Sequence, residues 1–129
     1  MTELSAVAFE DDSLFCCLFS RIFIKQGVKV TIYSNPSLYF CSDPCVETCP
    51  VKTPCCDFLL TDHLMPDMTG LEFLNRTKQM GCKIPDCRKA IISGNWLDED
   101  LKIAKQLVSL VFDKSDSLQL IDCWVEASK

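Results

Sequence analysis

Five short apolar segments are spaced along the chain, and each is short enough to form a single strand. They read AVAF (6–9), VKVTIY (28–33), FLL (58–60), AIIS (90–93) and LVF (110–112). Most of them are continuous rather than alternating, which is typical of strands that are covered on both faces. The pattern therefore predicts a five-stranded sheet with helices packed on both sides.

Stretches with helix signals separate these segments. Ser13 is placed to cap a first helix that Gly27 stops, and Pro36 favours the first turn of a second helix. Thr69 precedes a third helix, which Gly81 ends. The segments DEDLKIAKQL and DSLQLIDCWVEASK predict a fourth and a fifth. Strands that alternate with helices favour right-handed crossovers and a parallel sheet, so we expect a doubly wound α/β sandwich with five helices.

Length and charge restrict the class of protein. The 129 residues are enough for one domain with a buried core, which we expect to span 1–129. The net charge of −5 argues against a nucleic-acid partner, because phosphate binding needs clustered Lys and Arg. No apolar run approaches the roughly 20 residues of a membrane span, and the start MTELSAVAFEDD lacks the parts of a secretory signal. We therefore expect a cytoplasmic protein that does not bind membranes.

Polar residues follow four of the predicted strands directly. In a doubly wound sheet, ligands bind beyond the carboxyl ends of the strands, near the point where strand order reverses. Carboxylate oxygens suit Mg²⁺, which takes one or two protein carboxylates with water and phosphate oxygens, and a lysine supplies a point charge for a phosphate. We expect these residues to converge on one pocket: Glu10, Asp11, Asp12, Asp62, Ser93 and Lys114.

With these residues in place, the chain resembles the receiver domain of two-component response regulators over nearly its whole length. The strongest part is FLLTDHLMPDMTGLEFL (58–74), which is similar to the receiver segment around the phosphoacceptor: an apolar strand, Asp, two residues, Met-Pro and then Gly-Leu-Glu. The resemblance implies the flavodoxin-like strand order 2-1-3-4-5. It also implies a histidine kinase or histidine phosphotransfer protein as phosphodonor, and a downstream effector protein as target.

The resemblance assigns the phosphoryl chemistry to three residues. Asp62 is the expected phosphoacceptor, Lys114 is expected to pair with the phosphoryl group, and Ser93 is expected to hydrogen-bond it. Catalysis in such a site consists mostly of positioning and electrostatic stabilisation. A receiver domain promotes its own phosphorylation and dephosphorylation, so we do not expect a turnover enzyme.

The resemblance also implies a Mg²⁺ site. Asp11 is the expected direct ligand together with Asp62, and Glu10 is expected to hold the water shell of the ion. Leu64 would lend its backbone carbonyl, and Asp12 would start the first helix, although a shift of one residue would exchange the roles of the acidic residues.

Several positions depart from the receiver pattern. Ser115 replaces the proline that usually follows the lysine, Leu107-Val108 replaces the usual Gly-Ala, and Val111 replaces an aromatic residue. A cis bond before a non-proline residue costs about 2.5–4 kcal/mol, so Lys114 is either strained or held less firmly. The departures put the usual switching geometry in doubt more than phosphorylation itself. A phosphoacceptor receiver therefore stays the leading interpretation, and a phosphorylation-independent pseudo-receiver that binds proteins is the alternative that the departures suggest. A Mg²⁺-dependent phosphohydrolase is a weaker third hypothesis.

The first predicted helix contains more apolar residues than one face can bury. Exposed apolar patches commonly mark partner surfaces, so this helix is a candidate for docking the phosphodonor or for forming a homodimer. Burial by neighbouring elements is the alternative. The residues are Leu14, Phe15, Leu18, Phe19, Ile22 and Phe23.

Ten cysteines are present, and five of them lie in CSDPCVETCPVKTPCC (41–56), which has the appearance of an insertion. The segment CKIPDC (82–87) enters the neighbouring fourth strand, so thiols from both loops could meet at the edge opposite Asp62. A Zn²⁺ or Fe–S site, disulfide or redox pairing, and no specific role all remain open. The residues concerned are Cys41, Cys45, Cys49, Cys55, Cys56, Cys82 and Cys87. The remaining three, Cys16, Cys17 and Cys123, are interpreted as small core residues.

Overall fold

A computed structural model describes residues 3–36, 39, 48–49, 52–108, 110–115 and 117–129. Its centre is a parallel sheet of five strands, in the order β2-β1-β3-β4-β5. The predicted fold class and strand order are therefore confirmed. The strands are β1 (Ser5–Phe9), β2 (Lys29–Tyr33), β3 (Phe58–Asp62), β4 (Lys89–Ser93) and β5 (Leu110–Asp113).

Four α-helices and one 3₁₀ helix are found in the described ranges. The α-helices are α1 (Ser13–Lys25), α2 (Gly70–Gln79), α3 (Asp98–Leu107) and α4 (Ser117–Ser128), and the 3₁₀ helix is Asp86–Arg88. Four of the five predicted helices are thus present. The remaining one, the second predicted helix after Pro36, falls mainly on positions outside the described residues.

The helix ends follow local side-chain chemistry. Asp12, not Ser13 as predicted, caps α1: its carboxylate accepts a hydrogen bond from the Leu14 backbone N–H at 2.9 Å. Helix α2 begins with a capping box, in which Thr69 and Glu72 satisfy each other's backbone N–H groups. The sequence contains both candidate caps of α1, and the Asp12 carboxylate rather than the Ser13 hydroxyl makes the capping hydrogen bond.

The two faces of the sheet carry separate apolar layers. On one face, α1 and α4 supply Phe19, Phe23, Ile121, Trp124 and Val125 to a cluster over β1, β3, β4 and β5. On the other face, α2 and α3 supply Leu71, Phe73, Leu74 and Ala104. All five residues of both β3 and β4 are buried, as expected for central strands covered on both sides.

The first helix buries only part of its apolar surface. Phe19 and Phe23 are fully buried, whereas Leu14 and Ile24 are exposed by 61% and 67%. Within the described ranges, no helix is long and apolar enough to cross a membrane.

Candidate functional site

The polar residues at the carboxyl edge of the sheet form a compact charged cluster. Glu10 follows β1, Asp62 ends β3 and Lys114 follows β5. The Nζ atom of Lys114 lies 2.9 Å from Glu10 Oε1 and 3.3 Å from Asp62 Oδ2. Glu10 and Asp62 are only 1% and 3% exposed, so one lysine is shared by two buried carboxylates.

Glu10 is held by its own backbone neighbours. Its Oε2 atom accepts hydrogen bonds from the backbone N–H groups of Asp11 at 3.1 Å and Asp12 at 3.4 Å. Its Oε1 atom lies within ion-pair distance of Lys114 Nζ, but the geometry of this contact is not that of a hydrogen bond. Burial, and then contact with the Asp62 carboxylate, raise the pKa of Glu10 to about 7, with Lys114 opposing the shift.

Besides its contacts with the two carboxylates, Lys114 is held by two further contacts. Its backbone N–H donates to the Ser93 carbonyl at 3.0 Å, and its ammonium group lies 4.4 Å from the centre of the Phe15 ring on α1. Burial acts to lower the pKa of Lys114, but the close contact with Glu10 and the charges of Asp62 and Glu10 outweigh it, so the pKa is raised. Lys114 therefore carries its charge at neutral pH.

The carboxylates fit a divalent cation. Glu10, Asp11 and Asp62 each offer one oxygen, and these oxygens lie within 4.8 Å of one another. In the part of the chain that the structure describes, no other three His, Cys, Asp or Glu side chains come together in this way. Like charges this close repel each other unless a cation or a proton relieves them. An all-oxygen donor set of this kind suits Mg²⁺.

Two other predicted residues take less direct positions. The Ser93 hydroxyl is fully buried at the end of β4 and accepts a hydrogen bond from the Asn95 backbone N–H at 3.2 Å. Leu64 lies two residues beyond Asp62 with its side chain 57% exposed. Their expected roles toward a phosphoryl group and a metal ion stay predictions.

The turn after β5 shows how the chain does without the usual proline. No cis peptide bond occurs among the described residues, so the bond between Lys114 and Ser115 is trans. The Asp113 carboxylate accepts from the Ser115 backbone N–H at 3.0 Å and from its hydroxyl at 2.9 Å. A side-chain turn therefore holds the segment next to Lys114, where the sequence predicted strain or a loose lysine.

From the sequence, His63 is expected to be partly exposed, with a role in tuning phosphate stability as the alternative. The expected exposure is wrong: His63 is only 5% exposed and links β3 to α3. Its ring stacks on Trp96 with centroids 5.3 Å apart, and its Nε2 atom lies 3.3 Å from Asp100 Oδ2. The Trp96 indole N–H in turn donates to the Phe112 carbonyl at 2.8 Å. The sequence around His63 does not indicate these contacts, because both partners lie more than thirty residues further along the chain.

The second missed residue is Gly70, the first residue of α2. A Cβ atom at this position would lie 2.4 Å from the Asp62 carbonyl oxygen and 3.0 Å from His63 Cα. The Gly70 N–H also donates to the His63 carbonyl at 2.9 Å. Only glycine permits this approach, which holds α2 directly against the residues that end β3.

The described cysteines of the two loops lie in two regions rather than one. Cys55, Cys56 and Cys82 pack together on the α2/α3 side of the core, and the Cys49 N–H donates to the Met80 carbonyl at 2.8 Å. Cys87 does not join them: the 3₁₀ helix turns it toward α4, where its carbonyl accepts from the Trp124 indole N–H at 2.9 Å. The expected meeting of both loops is therefore wrong for Cys87.

The described cysteines form no group of three with metal-ligand spacing, so a Zn²⁺ or Fe–S site among them is not supported. Cys41 and Cys45 lie outside the described residues. The described cysteines carry free thiols, including Cys16, Cys17 and Cys123. Since Cys17 and Cys123 are exposed, the interpretation of these two as core residues was wrong.

Comparison with solved structures identifies the fold. The chain is similar to a receiver domain protein from Clostridium thermocellum (18% identity, TM-score 0.72, covering 97% of this chain and 93% of the other). It is also similar to a CheY-like receiver domain from Methylobacillus flagellatus (15%, 0.75, 99% and 100%) and to one from Methanospirillum hungatei (18%, 0.71, 98% and 97%). No protein-family model and no curated protein matches the sequence.

The alignments cover nearly all of this chain and nearly all of each receiver domain. The chain therefore has the fold of a response regulator receiver domain. The charged cluster lies at the edge where a doubly wound sheet binds its ligands.

Proposed function

We propose that the protein is a phosphoacceptor receiver domain of two-component signalling, with Asp62 as the residue that takes the phosphoryl group. The observation that carries the proposal is the contact of Lys114 with both Asp62 and Glu10 at the carboxyl edge of a receiver fold. A simple structural ion pair joins one lysine to one carboxylate. Here the carboxylates outnumber the lysine, which is the arrangement expected of a site that binds a cation and a phosphate.

Each residue has a task in the transfer. The Asp62 carboxylate oxygen attacks phosphorus, the bond from phosphorus to the donor breaks, and the donor group leaves with the electron pair. Lys114 neutralises charge on the transferring oxygens, and Ser93 offers a hydroxyl hydrogen bond. Glu10, Asp11, Asp62 and the Leu64 carbonyl would hold Mg²⁺, which supplies further charge neutralisation when bound.

The partners follow from the same proposal. A phosphohistidine on a kinase or phosphotransfer protein is the donor, and an effector protein reads the phosphorylated state. The exposed apolar side chains of Leu14 and Ile24 on α1 support this helix as a docking surface. The domain takes one phosphoryl group per molecule and does not turn over a substrate.

Intact mass tests the proposal. Incubation with acetyl phosphate and Mg²⁺ should add one phosphoryl group to the wild-type chain. The gain should be absent in Asp62→Asn and in the presence of a chelator, and it should persist in a matched variant of an exposed carboxylate, Asp98→Asn. Without any gain from acetyl phosphate or from a phosphorylated histidine donor, the pseudo-receiver alternative would replace the proposal.

A further inference from the structure

A second chemical centre lies at the edge of the sheet opposite Asp62. Cys55 and Cys56 precede β3, and Cys82 lies in the connection between α2 and β4. All three contact the α2/α3 side of the core. Lys89 begins β4 beside Leu59, which belongs to the same apolar layer, so its side chain points to the face that holds these thiols.

Cys55 is surrounded by groups that stabilise a thiolate. The Tyr39 hydroxyl donates a hydrogen bond to the Cys55 sulfur at 2.9 Å. The thiol of the next residue, Cys56, donates to the Phe58 carbonyl at 3.3 Å and is the other hydrogen-bonding group that acts on Cys55. Cys55 itself is only partly buried, so a small molecule can reach it.

Lys89 supplies a positive charge on the same face of the sheet. The residue is only 5% exposed, and among the described residues it forms no ion pair with Asp or Glu. This positive charge acts on Cys55 and favours its thiolate form.

These surroundings change the acidity of the two neighbouring thiols in opposite directions. The hydrogen bond from Cys56 lowers the pKa of Cys55 most strongly. Burial opposes the effect, and Tyr39 and Lys89 add to it, which brings the pKa to about 6. The same hydrogen bond and burial raise the pKa of Cys56. At neutral pH, Cys55 is therefore the nucleophile and Cys56 the proton donor.

We propose that Cys55 is a reactive thiolate and a modification site for small electrophiles, of which hydrogen peroxide is the physiological class. The sulfur attacks one peroxide oxygen, the O–O bond breaks, and hydroxide leaves and takes up a proton to become water. Sulfur is oxidised to a sulfenic acid and peroxide is reduced. If the Cys56 thiol then attacks, an S–S bond forms and the sulfenic oxygen leaves as water.

The pH profile of alkylation tests the proposal. We would treat the folded chain briefly with iodoacetamide over a range of about pH 5 to 9.5 and quantify each modified cysteine by peptide mass spectrometry. The Cys55 rate should level off above about pH 7, whereas an ordinary thiol continues to gain rate up to its pKa of about 8.5. A midpoint above pH 8, or no labelling of Cys55 at any pH, would overturn the proposal.

Variants separate the contributing groups. Lys89→Met and Tyr39→Phe should each move the midpoint upward, while Lys105→Met, which removes an exposed lysine from α3, should leave it unchanged. Circular dichroism verifies that each variant is folded. If neither Lys89→Met nor Tyr39→Phe shifts the midpoint in a folded chain, the assigned surroundings are wrong.

Peroxide then tests the chemistry itself. After a short exposure, either a dimedone adduct on Cys55 or a loss of two hydrogens from the peptide that contains Cys55 and Cys56 supports the proposal. Equal modification of the exposed Cys17 and Cys123 would contradict it. This centre is independent of the proposed phosphoacceptor: Asp62→Asn should leave the Cys55 profile unchanged, so the two proposals can fail separately.

Discussion

At the scale of single residues, Lys114 decides the charge balance of the candidate site. Its ammonium group contacts both buried carboxylates and rests on the Phe15 ring. Removing the charge leaves Glu10 and Asp62 to repel each other, and it also removes the group expected to stabilise the transferring oxygens. Lys114 should thus matter for both folding and phosphorylation.

We expect Lys114→Gln to slow phosphorylation by acetyl phosphate by about 100-fold, the usual effect of removing one electrostatic stabiliser from a transfer site. Rates from intact mass at saturating Mg²⁺ would measure the change. Lys105→Gln, at an exposed position on α3, serves as the control. A Lys114→Gln variant that labels at the wild-type rate would exclude a role for this lysine in the transfer.

Glu10 should make stability depend on pH. Its pKa is about 7 in the folded chain against an ordinary value of 4.5, so the folded state binds a proton that the unfolded state has released between these values. Stability therefore falls as pH rises through this window, by about 1–3 kcal/mol without a divalent cation. Lys114 stays charged throughout, because its pKa is raised rather than lowered.

Urea unfolding at about pH 5 and pH 8, with a chelator present, would measure this loss of stability. Glu10→Gln cannot titrate and should lose much less stability between the two pH values than the wild type. Glu99→Gln, at an exposed position on α3, should behave as the wild type. An equal loss in Glu10→Gln would show that another group is responsible.

The residues at the strand ends could be predicted from sequence, because parallel strands bring their carboxyl ends to one edge. Glu10, Asp62 and Lys114 meet for this reason. The position of the Phe15 ring and the pairing of His63 with Asp100 could not be predicted. Such contacts depend on how far each helix is shifted along the sheet, which no local pattern records.

At the scale of elements, the packing of α2 against β3 positions the candidate site. Gly70 lies against the backbone of Asp62 and His63, so the start of the helix is held directly against the end of the strand. The strands and helix ends were predictable, since continuous apolar runs and capping residues are local signals. The turn of Cys87 toward α4 was not, because it follows from a 3₁₀ helix of only three residues.

Gly70→Ala should destabilise the chain by about 1–3 kcal/mol, the usual penalty for overpacking, and reduce phosphorylation of Asp62. The new methyl group would meet backbone at 2.4 Å, which no side-chain rotation can relieve. Urea unfolding and intact mass would measure the two effects. Gly94→Ala is the matched control, because its Cβ atom would meet only the Lys114 side chain at 3.7 Å.

At the scale of the whole molecule, the two faces of the sheet are closed by different helix pairs, and the acidic residues lie where β1 and β3 end. Mg²⁺ bound there should stabilise the entire fold. The ion relieves the repulsion among three carboxylates, which the unfolded chain does not experience. The stabilisation should therefore appear as a shift of the global unfolding transition.

We expect Mg²⁺ at 100 times its dissociation constant to add about 2.7 kcal/mol to the free energy of unfolding. Urea titrations with and without Mg²⁺ would measure this. Asp11→Asn should reduce the effect, whereas Asp98→Asn, at an exposed position on α3, should retain it. A full Mg²⁺ effect in Asp11→Asn would remove that residue from the ligand set.

Strand β3 separates two features of the chain that can change independently during evolution. It is a buried segment of five residues, with the thiols before its first residue and Asp62 as its last. The loop before β3 can change in length without altering the pairing of β3 with β1 and β4, and this pairing sets the position of Asp62. A lineage could therefore gain, lengthen or lose the cysteine segment while the acidic residues stay in place, and selection could act on the two ends of one strand separately.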